Sequence, residues 1–460
     1  MRKINQNEPI NHFLSKNRKK NPVSFHMPGH KYGRFHSRKF NGYFADYDIT
    51  EISGADNIKN PVGIIGESLK EISRIYGSKS AFYLTNGTTS GIHSILRYAA
   101  LTGKKIILSR DCHISAVNGA ILFGIDTIFI PLEYKNGIPV PVSADAVSNI
   151  LKKNPDACGV LITSPNYYGK TAQIEEISKT VHEKGMFLAV DEAHGAHFQF
   201  SGLAHLSGIN SGADIVCHSL HKTLPVYNQG AVLHVCSERI NINMIRSIIN
   251  MLGTTSPSYP LLASMEKAVI QFHVNGSLLY RKLKKEVDRF KNFIEEETAC
   301  NIVDTDDFTR LVIKTGINGF DVANMLHEKF NIDVEAADFD NVICITTPYN
   351  RKSDFRKMKK AVATIKKQSK TRKPPDVPGN PEIELQLSKA FLMKMETVPL
   401  DMAAGRICGT IIVSYPPGTP LVCPGEIIDG YVVDYIKKVL NAGGAVLGIE
   451  DNKIPVLERT

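Results

Sequence analysis

The sequence predicts an α/β fold with a mostly parallel sheet covered by helices on both faces. Two observations carry that expectation. Short apolar runs recur between residues 61 and 275, and the segments between them place apolar residues at helical spacing. Polar side chains gather just beyond the carboxyl ends of those runs, where open α/β sheets hold their ligands. The first helix is TTSGIHSILRYAA (88 to 100), with Ile92, Ile95, Leu96 and Ala99 on one face, and the buried strand KKIILS (104 to 109) follows it. CGVLITS (158 to 164), MFLAVDEAH (186 to 194), ADIVCHS (213 to 219) and GAVLHV (230 to 235) repeat the strand pattern, with helical segments such as QIEEISKTVHEKG between them. Runs this apolar read as strands buried on both faces of a parallel sheet.

Residues 276–366 read as a smaller α/β domain. The charged helix LLYRKLKKEVDRFKNFIEEE leads into short strands at RLVIKTG and NVICITTP, with the helix FDVANMLHEKF between them. Residues 367–384 form a basic, proline-rich linker, and residues 385–460 a last C-terminal domain. Residues 1–60 stand apart as an N-terminal segment, leaving 61–275 as the major domain.

Composition narrows the function classes. At 460 residues, 43% hydrophobic and 22% charged, the chain is of ordinary soluble type. It holds no apolar run of the roughly 20 residues that a membrane span needs. Its basic start has no apolar stretch behind it, as a secretory signal would. Eight cysteines without a CxxC pair argue against zinc and a disulfide framework, so no metal and a reducing cytoplasm are expected. The net charge of +9 is concentrated in residues 1–40, which hold ten Lys or Arg and one acid, Glu8. A second basic run, 351–373, spaces Phe355, Met358, Val362 and Ile365 as the buried stripe of a surface helix. No nucleic-acid-reading module accompanies either run.

The strand ends carry the candidate chemistry. Lys222, in CHSLHKTLP, follows a buried strand and sits between apolar residues. Desolvation there lowers an amine's pKa and frees it to act as a nucleophile, the requirement for a Schiff base. Asp191 ends a strand 31 residues earlier, far enough for one crossover to set it beside Lys222. A carboxylate so placed would keep a pyridine nitrogen protonated, which makes pyridoxal phosphate an electron sink. In YLTNGTTSG, Gly87 makes a tight turn, and Thr88, Thr89 and Ser90 open a helix whose N–H groups suit a phosphate. Singly, each has a plainer role: a surface lysine, a capping Asp, an ordinary helix start, and structural histidines at 113, 194 and 221. Their order along one sheet points to one cofactor site.

These motifs resemble the ornithine/lysine/arginine decarboxylase family, pyridoxal phosphate enzymes of fold type I (the aspartate aminotransferase fold), in its short bacterial form. The matching stretches are FHMPGHK (25 to 31), DITEISGADNI (48 to 58), LTNGTTSG (84 to 91), RDCHISAVNG (110 to 119), ITSPNYYG (162 to 169), VDEAHGAHF (190 to 198), HSLHKTLP with NQGAVLHV (218 to 235), TTSPSY (254 to 259) and GRICGTIIVSYPPGTPLVCPGE (405 to 426). The resemblance implies that Lys222 binds the cofactor aldehyde, Asp191 pairs with the ring nitrogen and His113 stacks on the ring. It implies phosphate-side contacts from Gly87, Thr88, Thr89, Ser219 and His221, with His194 also beside the cofactor. It further implies a homodimer or higher oligomer with shared sites, in which Thr255 and Ser256 reach the neighbour's phosphate. The implied reaction is decarboxylation of a basic amino acid in polyamine metabolism: arginine first, then lysine or ornithine. Either Lys222 or His221 would return a proton to the α-carbon. On the substrate side, His30 and Glu426 are the candidates. Many members read GRISAE with a later proline where this chain has Cys408, Gly409, Thr410 and Ser414, so an acid is missing there. Another pyridoxal phosphate reaction, or a non-catalytic paralogue, is the alternative.

Overall fold

The computed structural model describes residues 8–20, 27–28, 31–32, 44–366, 375–415 and 418–459. The chain divides into two compact units, Met1–Tyr98 with Asp191–Leu278, and Ala99–Val190 with Leu279–Thr460. In chain order its strands begin with β1 (Ser80–Leu84), β2 (Lys105–Ser109), β3 (Asp126–Ile130), β4 (Glu133–Lys135), β5 (Ile138–Val140), β6 (Gly159–Thr163), β7 (Phe187–Asp191), β8 (Ile215–His218) and β9 (Ala231–Val235). The division between units falls inside β7, so Asp191 belongs to the first unit and the rest of that strand to the second.

In the first unit the strand order is β1, β9, β8. β9 runs antiparallel to both neighbours, with Leu84 opposite Ala231 and His218 opposite Val232. β1 and β8 therefore point the same way and end at the same edge. GAVLHV is thus the exception to the parallel pattern that the apolar runs suggested. Its connection from β8 holds only the one-turn helix Leu220–Thr223, which cannot serve as a crossover over the sheet. The helix Ile64–Tyr76 precedes β1 and buries Ile65, Leu69, Ile72, Ile75 and Tyr76 along one stripe. It stops at Gly77, whose φ of +81° is a left-handed cap that glycine adopts without strain. An N-terminal helix, Pro9–Lys19, is tied down by the buried carboxylate of Glu266. This group accepts from Ile10 N at 3.1 Å, Asn11 N at 2.9 Å and Asn11 Nδ2 at 2.7 Å. A negative charge at the positive end of a helix is favourable in itself.

In the second unit the order is β7, β6, β2, β3, and β2 is parallel to both β6 and β3. Ile106, Ile107, Leu108, Val160, Ile162, Leu188, Ala189 and Val190 are fully buried, as expected of strands with helices on both faces. Gly159 is required by packing, since a Cβ there would lie 2.6 Å from the Phe187 ring. The helix Tyr259–Glu297 starts well before the charged stretch that the sequence marked, and passes from the first unit into the second at Leu278. It leads to a four-stranded sheet of β10 (Asn301–Val303), β11 (Arg310–Lys314), β12 (Ala336–Ala337) and β13 (Asn341–Ile345), in the order β10, β11, β13, β12. The helix Lys352–Val362 buries Phe355 and Val362 and leaves its basic residues outward, as the stripe predicted. The C-terminal strands are β14 (Met395–Pro399), β15 (Ile412–Tyr415), β16 (Thr419–Val422), β17 (Ala445–Leu447) and β18 (Lys453–Leu457). They enclose a core of Ile412, Val422, Ile428, Val432, Ile436, Val439, Ile454 and Val456.

Candidate active site

Three backbone turns of the first unit meet at the edge where β1 and β8 end. The turn after β1 carries Gly87 at φ +67°, a left-handed conformation that favours glycine. Its N–H donates to Gln229 O at 2.8 Å, tying the turn to the start of β9. The helix Gly87–Thr102 opens there, and its first N–H groups have no acceptor within the helix. Ser90 Oγ donates to Gly87 O at 2.9 Å. Gly91 lets this helix lie directly against Cys217 on β8, because any Cβ would collide with that sulfur.

The turn after β8 holds Ser219, His221 and Lys222. Ser219 is fully buried, and its Oγ lies 3.1 Å from His221 Nδ1. His221 Nδ1 also lies 3.2 Å from Gly230 O, and since a carbonyl only accepts, that nitrogen carries the proton. Burial pushes the His221 pKa down and the Lys222 charge pushes it further, while the Gly230 hydrogen bond pulls the other way. Burial thus favours the neutral ring, whose lone pair would lie on Nε2. Lys222 is half-buried, and its Nζ lies 3.1 Å from Nε2 of the buried His194.

The third turn follows β7. Glu192 N–H donates to Cys217 O at 3.0 Å, which sets the end of β7 beside β8 and places Asp191 next to the lysine turn. Asp191 is 7% exposed, and its Oδ1 accepts from Ala193 N at 3.1 Å. Both charges act on one thiol: burial pushes Cys217 up, Asp191 adds to the rise and Lys222 opposes it. A buried carboxylate, a half-buried amine and an open helix N-terminus thus converge on one sheet edge. This donor set fits pyridoxal phosphate, offering an acid for the ring nitrogen, an amine for the aldehyde and N–H groups for the phosphate.

The other candidates are placed differently. His113 belongs to the second unit, where it caps the helix Ile114–Phe123 and its Nδ1 accepts from Ser115 N at 3.2 Å. Thr255 and Ser256 are exposed on the turn before Tyr259. His30 lies outside the described residues. Glu426 differs most from its expected role as a holder of the substrate's distal cation. It is 1% exposed and bound bidentately by Arg110, whose Nη1 and Nη2 lie 2.5 and 2.8 Å from its oxygens. Cys423 N adds a third donor at 2.7 Å, and Arg110 also donates to Leu421 O and lies over the Phe129 ring. Its charge is already matched inside the second unit, so Glu426 is a structural tie.

Sequence reasoning also passed over Glu192 and His218. Glu192 is fully buried and accepts from Ser207 Oγ at 2.7 Å and Gly208 N at 2.6 Å, and its Oε1 lies 2.9 Å from His218 Nε2. The available signal was an acid directly after Asp191 and a histidine directly before Ser219, each on the opposite face of its strand by the two-residue period. A cavity of about 810 Å³ runs along β1 in the first unit, bordered among others by Asn86, Ser90, Arg246 and Thr254. Among the described residues no group of three or more His, Cys, Asp or Glu is arranged to hold a metal, and no helix is long and apolar enough to cross a membrane.

Comparison with known proteins adds a family. The family model described as the Orn/Lys/Arg decarboxylase major domain matches residues 8–311, and that of the C-terminal domain matches residues 380–452. An arginine decarboxylase of Bacillus subtilis (strain 168) is 31% identical, covering 98% of this chain and 97% of that protein. An arginine decarboxylase of Halalkalibacterium halodurans is 32% identical over 95% of this chain and 94% of its own. The constitutive lysine decarboxylase of Escherichia coli (strain K12) is 21% identical over 94% of this chain and 77% of its own. Among solved structures, a lysine decarboxylase of Francisella novicida superposes with a TM-score of 0.84 at 17% identity, over 98% of this chain and 81% of its own, a likeness of fold.

Proposed function

The chain belongs to the Orn/Lys/Arg decarboxylase family, and on that premise we propose that it removes the α-carboxylate of arginine as carbon dioxide, with pyridoxal phosphate held at Lys222. The observation that carries this reading is the Lys222 amine, 3.1 Å from an imidazole nitrogen on the sheet edge that also bears Asp191 and the Gly87 turn. Arginine is favoured because the full-length relatives that carry its name align at higher identity than those named for lysine.

Each residue has a task that its surroundings support. Asp191, buried at the end of β7, would hold the cofactor's ring nitrogen protonated. The N–H groups at the start of the helix Gly87–Thr102, with Thr88, Thr89, Ser219 and His221, would hold the phosphate. When bound, pyridoxal phosphate supplies the electron sink that accepts the pair left behind as carbon dioxide departs. The half-buried Lys222 amine would hold the cofactor through its aldehyde carbon. Lys222 would return the proton to the α-carbon, because the Nδ1 proton of His221 is engaged by Gly230 O. His113 is assigned to the ring face by resemblance.

The working unit is a homodimer in which Thr255 and Ser256 serve the neighbouring site. Their exposure, and that of Met251 beside them, supports this. Eight free thiols support a reducing, cytoplasmic setting, and the amine product suits polyamine synthesis. The test is product analysis of the purified protein with pyridoxal phosphate and a panel of arginine, lysine and ornithine. Carbon dioxide and the matching amine, with arginine preferred, are expected. A ketoacid product would replace the reading with transamination, and no product from any of the three would remove it.

A further inference from the structure

We infer that Glu192 and His218 are positioning residues: a buried hydrogen-bonded pair behind the sheet edge that fixes Asp191 and Lys222 relative to each other. The inference rests on the site reading above, since Asp191 and Lys222 matter only if they serve the cofactor. Its physical basis is independent of that reading.

Glu192 follows Asp191 and His218 precedes Ser219, so the pair joins the ends of β7 and β8 on the face opposite the chemistry. Each partner is held from more than one side. Glu192 accepts from Ser207 Oγ and Gly208 N, and Gly195 leaves it room, since a Cβ there would lie 2.5 Å from Glu192 Cγ. The His218 ring packs against Tyr76 at 5.1 Å and His234 at 4.9 Å between centroids. Tyr76 OH in turn donates to Ala196 O at 2.9 Å, reaching the turn that carries His194. The two turns that face each other at the Lys222–His194 contact are therefore braced from behind by one dry network. His218 Nδ1 has no hydrogen-bond partner among the described residues, so the bracing rests on the Glu192–His218 bond, whose loss would leave a buried carboxylate one donor short at the cost of desolvation.

The experiment compares His218→Phe, Glu192→Ala and Glu192→Gln in the purified holoenzyme, reading kcat and KM for the best substrate and hydrogen exchange of segments 191–198 and 214–224. His218→Phe keeps a ring against Tyr76 and His234 but removes the hydrogen bond, so it carries the test if Glu192→Ala does not fold. The expected result for both is a kcat lower by ~10- to 10²-fold with KM changed by less than ~3-fold. Exchange should rise in both segments together. Glu192→Gln keeps an acceptor for Gly208 N and offers its amide N–H groups to Ser207 Oγ and His218 Nε2, both of which can accept, and should restore most of kcat. An unchanged kcat, a rise confined to the mutated segment, or a Gln variant as poor as Ala would overturn the proposal. If borohydride fails to fix the cofactor to Lys222, the site reading fails, while the exchange data still judge the brace.

Discussion

Two charged side chains, one in each unit, show how burial separates chemistry from architecture. Arg110 is paired with Glu426, 5% and 1% exposed, and the carboxylate is closed off by three donors. Lys222 is half-buried on a sheet edge and meets an imidazole at 3.1 Å, with Asp191 one strand away. The first arrangement is saturated and has nothing left to offer a ligand. The second sets a half-buried amine beside a buried carboxylate, which is the arrangement the proposed cofactor site needs. A buried carboxylate is therefore evidence of function only after its partners have been counted.

The strongest way to break this comparison is Lys222→Ala. Activity should fall by at least ~10³-fold, since nucleophile and proton donor are lost together. The thermal midpoint should stay near wild type because the side chain is only half-buried. A large loss of stability would make Lys222 structural. Asp191→Asn comes next, with a rate loss of ~10²-fold and retained cofactor, measured by carbon dioxide release and visible absorbance. Near-wild-type activity would remove Asp191 from the mechanism.

Glu426→Gln should behave in the opposite way. Breaking one side of a buried pair leaves the Arg110 charge uncompensated, at a cost of about 3 to 5 kcal/mol in denaturant unfolding, with KM for arginine changed little. A raised KM without loss of stability would return Glu426 to the substrate.

The smallest expected effect concerns pH. Burial raises the Glu266 pKa to about 6, against the hydrogen bonds from Asn11 and Ile10 that lower it. The folded state therefore holds this proton more tightly than the unfolded chain does. Glu266 adds stability as pH falls from about 6 toward 4.5 and withholds it above. Glu266→Gln should flatten that part of the stability profile, read from urea midpoints at several pH values. An unchanged slope would show the carboxylate to titrate normally.

How much of this the sequence disclosed follows from the range of the interactions. Alternating apolar runs and helical stripes are local, so β2, β6, β7, β8 and the basic helix at 352–362 were legible. So was the Asp191 and Lys222 constellation, because strand ends in an α/β sheet share an edge. The direction of β9 was not, since GAVLHV has the same apolar pattern in either orientation and only its short connection decides. The Arg110–Glu426 pair spans 316 positions, and no periodicity links an arginine after one strand to a glutamate near the end of the chain. The same holds for Glu192 and His218, which local pattern assigns merely to the inside of the sheet. The candidate contact to the distal cation was Glu426, and its oxygens are taken up by Arg110 and Cys423 N.

The central claim is that the Lys222 amine carries the cofactor, and it is tested most directly by borohydride reduction of the purified holoenzyme followed by peptide mapping. The account predicts a pyridoxyl group on Lys222 in the peptide containing SLHK. A label on any other lysine, with Lys222 unmodified, would contradict it.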